Sequence, residues 1–448
     1  MENLGIVILA AGLGKRMKSK VPKVLHPICG KPMLEYPLKI ALALSSQKPI
    51  VVIGHGSTEV AKLVGERAIT VHQGELLGTG HAVLKALEAY PSWPPDTLVL
   101  YGDMPLLRKE TVENLLATHQ ARKPVITFLT VHSTDPMGFG RVVRDAKGNV
   151  AKIVEEAEAT PQEKAITELN VGVYCFQSDW LRSRLLLLNP HPNGEYYLTD
   201  LIAIAVEEGS PVETVLLEDQ EEALGVNTRV QLALAEAAMR RRINRYWMEN
   251  GVSFINPEAT YVEAGVEIGR DTVIYPNVFL LGRTKIGEDC IIGPGTIIRD
   301  SEIGDGCVVE ASVVEGATLE REVKVGPFAH LRPGTHLAQG VHIGNFAEVK
   351  NSYLGPGTKM NHFSYLGDAT VGSGVNIGAG TITCNFDGYT KHPTVIEDEA
   401  FIGSDTMLVA PVKVGKKART GAGSVVTKDV PPGALVYGVP AKVKKWVT

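Results

Sequence analysis

The sequence has no block of lysine or arginine. In its 448 residues, 45 basic side chains stand against 50 acidic ones, a formal net charge of −5. Without a basic tail or patch, nucleic acid is excluded as a main partner. Long hydrophobic runs are also missing. The longest early one, Gly5–Ala11, is too short for a membrane span or the core of a signal peptide. Cysteine is scarce: Cys29, Cys175, Cys290, Cys307 and Cys384 are odd in number and show no CxxC spacing. That pattern excludes a disulfide framework or a structural zinc site and fits a reducing, cytoplasmic setting. No GxxxxGK[ST] motif occurs, so the chain is not a P-loop ATPase. Hydrophobic residues at 44% exclude disorder over most of the length.

Glycine is present in quantity, and unevenly. Of the 46 glycines, 28 fall in residues 251–448, which predicts two architectures in one chain. In the first part, the apolar runs Leu4–Ala10, Pro49–Gly54 and Thr97–Tyr101 alternate with helical patterns such as His81–Ala89 and Lys109–His119. Continuous apolar strands between helices predict a mostly parallel α/β sheet covered on both faces. Ligands of such sheets bind at the carboxyl ends of the strands. A long helix over Arg229–Asn250, capped by Asn227 or Thr228 and ended by Gly251, follows this part. The expected divisions are therefore 1–226, a helical linker over 227–250, and 251–448. The basic run Arg240–Arg242 reads as a solvated helix face.

The last part repeats itself. Aliphatic–Gly pairs such as Ile268-Gly269, Ile286-Gly287, Ile292-Gly293, Val325-Gly326, Ile343-Gly344, Val371-Gly372 and Ile377-Gly378 recur at many intervals that are multiples of six. A small residue follows four places after the aliphatic one, as at Cys290, Thr296, Ala329, Ala347, Thr358 and Thr381. This is the signature of a hexapeptide parallel β-helix, a left-handed triangular coil with one inward aliphatic residue per side. The phase breaks between Gly378 and Gly403, where Cys384–Glu399 holds the turn signals Asp387-Gly388 and His392-Pro393 and predicts a projecting loop. Flat apolar sides on such a coil predict association of copies, as a homotrimer.

Two sets of residues carry candidate chemistry. After the first strand, Leu9-Ala10-Ala11-Gly12-Leu13-Gly14-Lys15-Arg16 leads to Pro22-Lys23. Such a turn leaves N–H groups free for phosphate, with Arg16 and Lys23 adding positive charge; an ordinary β-turn fits the glycines as well. At the end of the third run, Tyr101-Gly102-Asp103 puts a carboxylate over the same edge, where an oxygen ligand suits Mg²⁺. In the coil, His362 follows Arg332 and Glu348-Val349-Lys350. Taken alone, such a histidine is more often surface decoration than a base.

The ordered set LAAGxGxRM (Leu9–Met17), PKxL (Pro22–Leu25), QxxxxGTGHA (Gln73–Ala82), YGDxPL (Tyr101–Leu106), GxGR (Gly138–Arg141), IVEE (Ile153–Glu156) and NxGxY (Asn170–Tyr174) resembles the sugar-1-phosphate nucleotidyltransferases. With the coil, the pattern from Leu4 to about Pro440 resembles the bifunctional family that joins N-acetylglucosamine-1-phosphate uridylyltransferase to glucosamine-1-phosphate acetyltransferase. The resemblance implies a Rossmann-like nucleotidyltransferase domain joined by a long α-helix to a left-handed parallel β-helix. It implies UTP and acetyl-CoA as cosubstrates, Mg²⁺ as cofactor, and a product that feeds bacterial cell-wall polymers.

Site residues follow from that resemblance. Lys23 and Arg16 would stabilise phosphate charge, and Asp103 with Asn227 would hold Mg²⁺. Leu9, Ala10, Ala11, Gly12, Gln73, Gly78, Thr79, Tyr101 and Gly102 would surround the nucleotide, while Gly140, Glu155 and Asn170 would contact the acetamido sugar. In the coil, His362 would act as general base, oriented by Glu348. Arg332, Lys350 and Lys391 would cradle the sugar phosphate, with Tyr365 and Asn376 on the sugar. Ala379, Asn385, Phe386, Ser404 and Ala422 would bind acetyl-CoA; Asn376 and Ser404 serve equally well as coil-turn residues. Three departures stand out. Lys15 replaces Thr or Ser, Phe386 replaces Tyr, and Gly438-Val439-Pro440 lacks an Arg, for which Arg419, Lys442, Lys444 and Lys445 are substitutes. A second reading keeps only the nucleotidyltransferase and makes the coil a trimerisation stalk; a third is a non-catalytic sugar-nucleotide sensor. His362, the 384–399 loop and the cationic set argue against the stalk, and Lys23 with Asp103 against the sensor.

Overall fold

The computed structural model describes residues 4–136 and 138–446. Its contacts divide the chain into two compact units, Met1–Met239 and Arg240–Thr448.

In the first unit the three apolar runs become β1 (Leu4–Leu9), β2 (Ile50–Ile53) and β4 (Asp96–Tyr101), with β3 (Ile69–His72) beside β2. Strands β5 (Ile126–His132), β6 (Arg141–Arg144), β7 (Val150–Val154), β8 (Glu168–Gln177) and β9 (Val212–Leu216) complete one sheet. Its spatial order is β9-β5-β8-β4-β1-β2-β3, and β6 and β7 pair off β8. The side β4-β1-β2-β3 is parallel, as expected. The sheet is mostly parallel, as expected, with β8 the exception on this path: it runs antiparallel between β4 and β5, while β9 again runs parallel to β5. A strand buried on both faces reads as one apolar run whichever way it points, so its direction is not legible. The reversal has a functional consequence: the amino end of β8, with Asn170, meets the carboxyl ends of β1 and β4.

The helix Arg229–Glu249 follows. Of the two candidate caps, Thr228 takes the role. Its Oγ1 accepts from Gln231 N–H at 3.2 Å, while Gln231 Oε1 accepts from the N–H groups of Asn227 (2.9 Å) and Thr228 (3.1 Å). This reciprocal capping box leaves the Asn227 side chain free for other work.

The second unit is a three-sided parallel coil whose faces are sheets of 12, 10 and 9 strands. Ile268 stacks on Ile286, then Ile303, then Leu319, giving rungs of 18, 17 and 16 residues, so the six-residue phase slips wherever a corner loses a residue. Aliphatic side chains fill the axis: Ile274, Ile292, Val309 and Ile343 are fully buried. Each contributes about 1.5–3 kcal/mol of apolar burial. The small corner residues Cys290, Thr296, Ala329, Ala347, Thr358 and Thr381 are buried as the spacing requires. Thr358 Oγ1 donates to Gly372 O one rung on, at 2.7 Å. Two expectations are corrected. Arg240 is not on a solvated face, because its guanidinium lies 4.4 Å over the Tyr261 ring, a cation–π contact. The projecting loop is shorter than Cys384–Glu399, since Thr394–Ile396 is already a coil strand with Thr394 and Ile396 buried.

Candidate active sites

The first site lies where β1, β4 and β8 end. The 10–14 loop leaves β1 with Ala10 N–H bonded to Val52 O, and Gly102 N–H bonds back to Leu9 O, both at 2.9 Å. Gly14 has φ of 59°, and an added Cβ would press on Lys23 Cβ at 2.9 Å, so glycine lets the phosphate loop and the Lys23–Leu25 turn close on one another. Gly12 has open space around it, and Arg16 and Lys15 are exposed on the Lys15–Met17 turn.

Lys23 is the hub. Its ammonium makes a very short contact with Asp103 Oδ2 and donates to Asn227 Oδ1 at 2.8 Å. A backbone bond sets this up: Val226 N–H donates to Asp103 O at 2.9 Å, which seats Asn227 beside Asp103. The two oxygens thus already hold one cationic group. One carboxylate and one amide oxygen fit Mg²⁺, which binds through few protein ligands and keeps waters and substrate phosphates. No cluster of three or more His, Cys, Asp or Glu that could hold a metal occurs among the described residues.

Gln73 is buried, donating from Nε2 to Gly78 O at 2.9 Å and contacting His81 Nδ1 at 3.3 Å. Gly78 has φ of 94°, and any Cβ there would meet the Tyr196 backbone within 2.8 Å. Thr79 Oγ1 accepts from Leu198 N–H at 3.1 Å. The three nucleotide-reading candidates therefore stand together, with Tyr196 and Leu198 as supports that no motif announced.

Gly140, Glu155 and Asn170 also converge. Asn170 N–H donates to Gly140 O at 2.9 Å, and Asn170 Nδ2 donates to the Tyr174 hydroxyl at 2.6 Å. Glu155 accepts from Thr199 Oγ1 at 2.8 Å. Burial raises the Glu155 pKa, which Thr199 partly opposes. Tyr101 is pushed up by burial, then by the charges of Glu155 and Asp103, so its hydroxyl stays protonated. Tyr174 is the last residue of the NxGxY motif, whereas Thr199 belongs to none; a Thr before the Asp200–Glu207 helix reads as an ordinary cap.

The second site spreads over one face and one corner of the coil. At the corner, Gly380 N–H donates to Phe363 O at 2.7 Å, Asp405 N–H to Ala379 O at 2.6 Å, and Gly423 N–H to Ser404 O at 2.8 Å. His362, Ala379, Ser404 and Ala422 therefore stack rung upon rung in one column, with exposed His362 at its foot. At the top, Tyr437 lies over Gly421 and the Lys444 ammonium is 5.2 Å from the Tyr437 ring.

Across the ten-stranded face, Glu348 pairs in register with Tyr365. Gly367 makes room for the Tyr365 hydroxyl, with which a Cβ would collide. At the far edge, the neighbouring Lys391 ammonium, followed by Arg332, pushes the Lys350 pKa down. Three cations crowded together are a seat for an anion. Burial opposes ionisation of Asp368, but Asn351, Asn385, Lys391 and Lys350 outweigh it and hold its pKa low.

One expectation is corrected here, and two residues stand apart from the rest of their expected sets. Glu348 does not orient His362: its carboxylate accepts from Arg332 Nη1 at 2.9 Å, because the stronger partner stands on the adjoining rung. Asn385 is not in the corner column, since its amide donates to Asp368 at the cationic edge, and exposed Phe386 bridges Lys391 beside it. Asn376 opens a strand of the twelve-stranded face, paired with Phe401, and so lies on a different face from Tyr365.

Comparisons agree with this division. The MobA-like NTP transferase domain family matches residues 6–171, the bacterial transferase hexapeptide (six repeats) matches 265–300, and the hexapeptide repeat of succinyl-transferase matches 393–428. A Heliobacterium modesticaldum protein is 50% identical over 97% of this chain and 95% of its own length. Relatives from Shouchella clausii (46%; 98% of this chain, 97% of the relative) and Halalkalibacterium halodurans (48%; 97% and 96%) are similar. All three carry the name Bifunctional protein GlmU. With both units matched end to end, the chain belongs to the bifunctional GlmU family.

Proposed function

We propose that this chain makes UDP-N-acetylglucosamine in two steps: acetyl-CoA-dependent N-acetylation of glucosamine-1-phosphate, then uridylyl transfer from UTP to N-acetylglucosamine-1-phosphate. The observation that carries the reading is that two separate cationic sites sit on two folds, each beside groups suited to its own chemistry.

On the coil, the cluster of Lys350, Lys391 and Arg332 takes the sugar phosphate and Tyr365 holds the sugar from the same face, with Asn376 reaching it from the coil of a second copy. His362 accepts a proton from the sugar ammonium, since imidazole titrates in the useful range. The freed amine attacks the thioester carbon. An N–C bond forms, the C–S bond breaks, and CoA leaves as the thiol after taking a proton. Backbone N–H groups of the Ala379–Ser404–Ala422 column face the thioester oxygen.

At the sheet edge, a phosphate oxygen of the acetylated sugar attacks the α-phosphorus of UTP in line, and the bond to pyrophosphate breaks. Positioning and charge neutralisation supply the catalysis. Lys23 and Arg16 offset phosphate charge, Gln73 and the Gly78-Thr79 backbone read uracil, and Gly140, Glu155 and Asn170 hold the acetamido sugar. Asp103 and Asn227 are the oxygens that would hold Mg²⁺, which when bound neutralises triphosphate charge.

The functional divisions are 1–226, 227–250 and 251–448. The enzyme works in the cytoplasm as a homotrimer through the coil, supplying cell-wall synthesis; no helix of the described residues is long and apolar enough to cross a membrane. Separation of Asn385 and Phe386 from the Ala379 column, and exposure of Phe328, Phe346 and Phe363 near His362, support completion of the acetyl site by a second copy. Light scattering then gives three times the 48.2 kDa chain mass.

The test supplies glucosamine-1-phosphate, acetyl-CoA, UTP and Mg²⁺ and follows CoA and pyrophosphate. Both are expected, with pyrophosphate dependent on acetylation. Pyrophosphate from N-acetylglucosamine-1-phosphate without any CoA release would return the coil to a stalk.

A further inference from the structure

Beside Glu155 stands a histidine that neither chemistry uses. His191 lies in the loop before the Asp200–Glu207 helix, turned by bonds from its N–H to Glu195 O (2.9 Å) and from Gly194 N–H to its carbonyl (2.8 Å). Both ring nitrogens face carboxylates: Nδ1 is 2.8 Å from Glu158 Oε1 and Nε2 is 2.8 Å from Asp200 Oδ2. A neutral imidazole donates through one nitrogen only, so this geometry is that of the imidazolium. The Tyr197 ring lies 4.2 Å from the imidazole, held by Asn193 Nδ2 at 2.6 Å.

The contacts close a ring on the sugar site. Asp200 follows Thr199, whose hydroxyl donates to Glu155; Glu158 and Ala159 donate their N–H groups back to Glu155 O, each at 3.0 Å. The 155–159 turn and the start of the Asp200–Glu207 helix are therefore joined twice, once through Thr199–Glu155 and once through His191.

We propose that His191 is a positioning residue of the uridylyl-transfer site: as imidazolium it clasps Glu158 to Asp200, fixing Glu155 for the acetamido sugar, and its deprotonation loosens sugar-phosphate binding. The proposal rests on the assignment of Glu155 to the sugar. Burial alone would lower the His191 pKa, but the bonds to Asp200 and Glu158 outweigh it and raise the value above that of a free imidazole. Other ionisable groups around the ring are Glu155, Glu195 and Tyr197, with Glu207 and Glu208 along the helix and Arg184 already paired to Glu208 at 2.6 Å. The sign follows: the clasp is complete below the free imidazole pKa of about 6.5 and is lost as pH rises through the higher folded value.

The test measures KM for N-acetylglucosamine-1-phosphate, KM for UTP and kcat, from about pH 6 to about pH 9, in the full chain and in His191→Gln. Titration of the substrate phosphate is common to both proteins and cancels in the comparison. The wild-type sugar-phosphate KM is expected to rise about five- to tenfold more across this range than that of the variant, with UTP KM and kcat moving in parallel. In Glu158→Gln the rise moves about one pH unit lower, because one carboxylate no longer supports the charge. Parallel sugar-phosphate profiles in wild type and His191→Gln, or an unmoved profile in Glu158→Gln, overturn the clasp while leaving the functional reading intact. Absence of uridylyl transfer in the wild type at every pH overturns the functional reading, and the clasp with it.

Discussion

The two sites differ in how much of their geometry one chain supplies. At the sheet edge, Lys23, Asp103 and Asn227 are largely shielded and already bonded to one another, and Gln73, Asn170 and Glu155 have protein partners. On the coil, His362 is exposed and the Lys350 and Lys391 ammonium groups crowd one another, with Asp368 beside them. Strand ends from several directions enclose a pocket by themselves. A prism offers only flat faces and corners, so its site is an open surface. The pre-formed site should therefore respond to loss of one partner by losing turnover, and the open one by losing affinity, except at its base.

Asp103→Ala should lower pyrophosphate release by about 10³-fold or more, since it removes a preorganised charge partner, with CoA release unchanged in the same preparation. His362→Ala should lower CoA release by about 10²–10⁴-fold and leave uridylyl transfer from supplied N-acetylglucosamine-1-phosphate untouched. If both activities fall together in either variant, the sites are not independent. Lys350→Ala should raise KM for glucosamine-1-phosphate about tenfold with a smaller change in kcat, as expected for loss of one solvent-screened phosphate contact. Neutralising Lys444 and Lys445 together should raise the acetyl-CoA KM by about three- to tenfold, because exposed charges are partly screened. Lys15→Thr should leave uridylyl transfer within about twofold, since Lys15 is solvent-exposed on its turn.

How much of this was legible follows the same contrast. The coil is written in local sequence: an inward aliphatic residue and a small corner residue recur, and each is buried where the phase puts it. Strands β1, β2 and β4 were equally plain, as apolar runs bounded by turns. The direction of β8 was not, because burial on both faces removes the alternation that marks a side. Long-range partnerships were out of reach for the same reason: Lys23 and Asn227 are 204 positions apart, and only the Val226–Asp103 backbone bond explains their meeting. Local spacing also misled. Glu348 and His362 stand near enough in sequence to suggest a pair, yet a rung of the coil separates them and Arg332 claims the carboxylate. The Thr228 cap was narrowed to two residues by pattern and settled by Gln231. His191 gave no signal at all, being one histidine in a polar loop.

The central claim is that this chain carries two separable chemistries linked by a diffusible sugar phosphate. Mixing His362→Ala with Asp103→Ala in equal amounts, with glucosamine-1-phosphate, acetyl-CoA, UTP and Mg²⁺, tests it most directly. The account predicts that neither variant alone forms UDP-N-acetylglucosamine from these substrates and that the mixture does. A mixture that stays inactive, although each variant retains its own half-reaction, would contradict it.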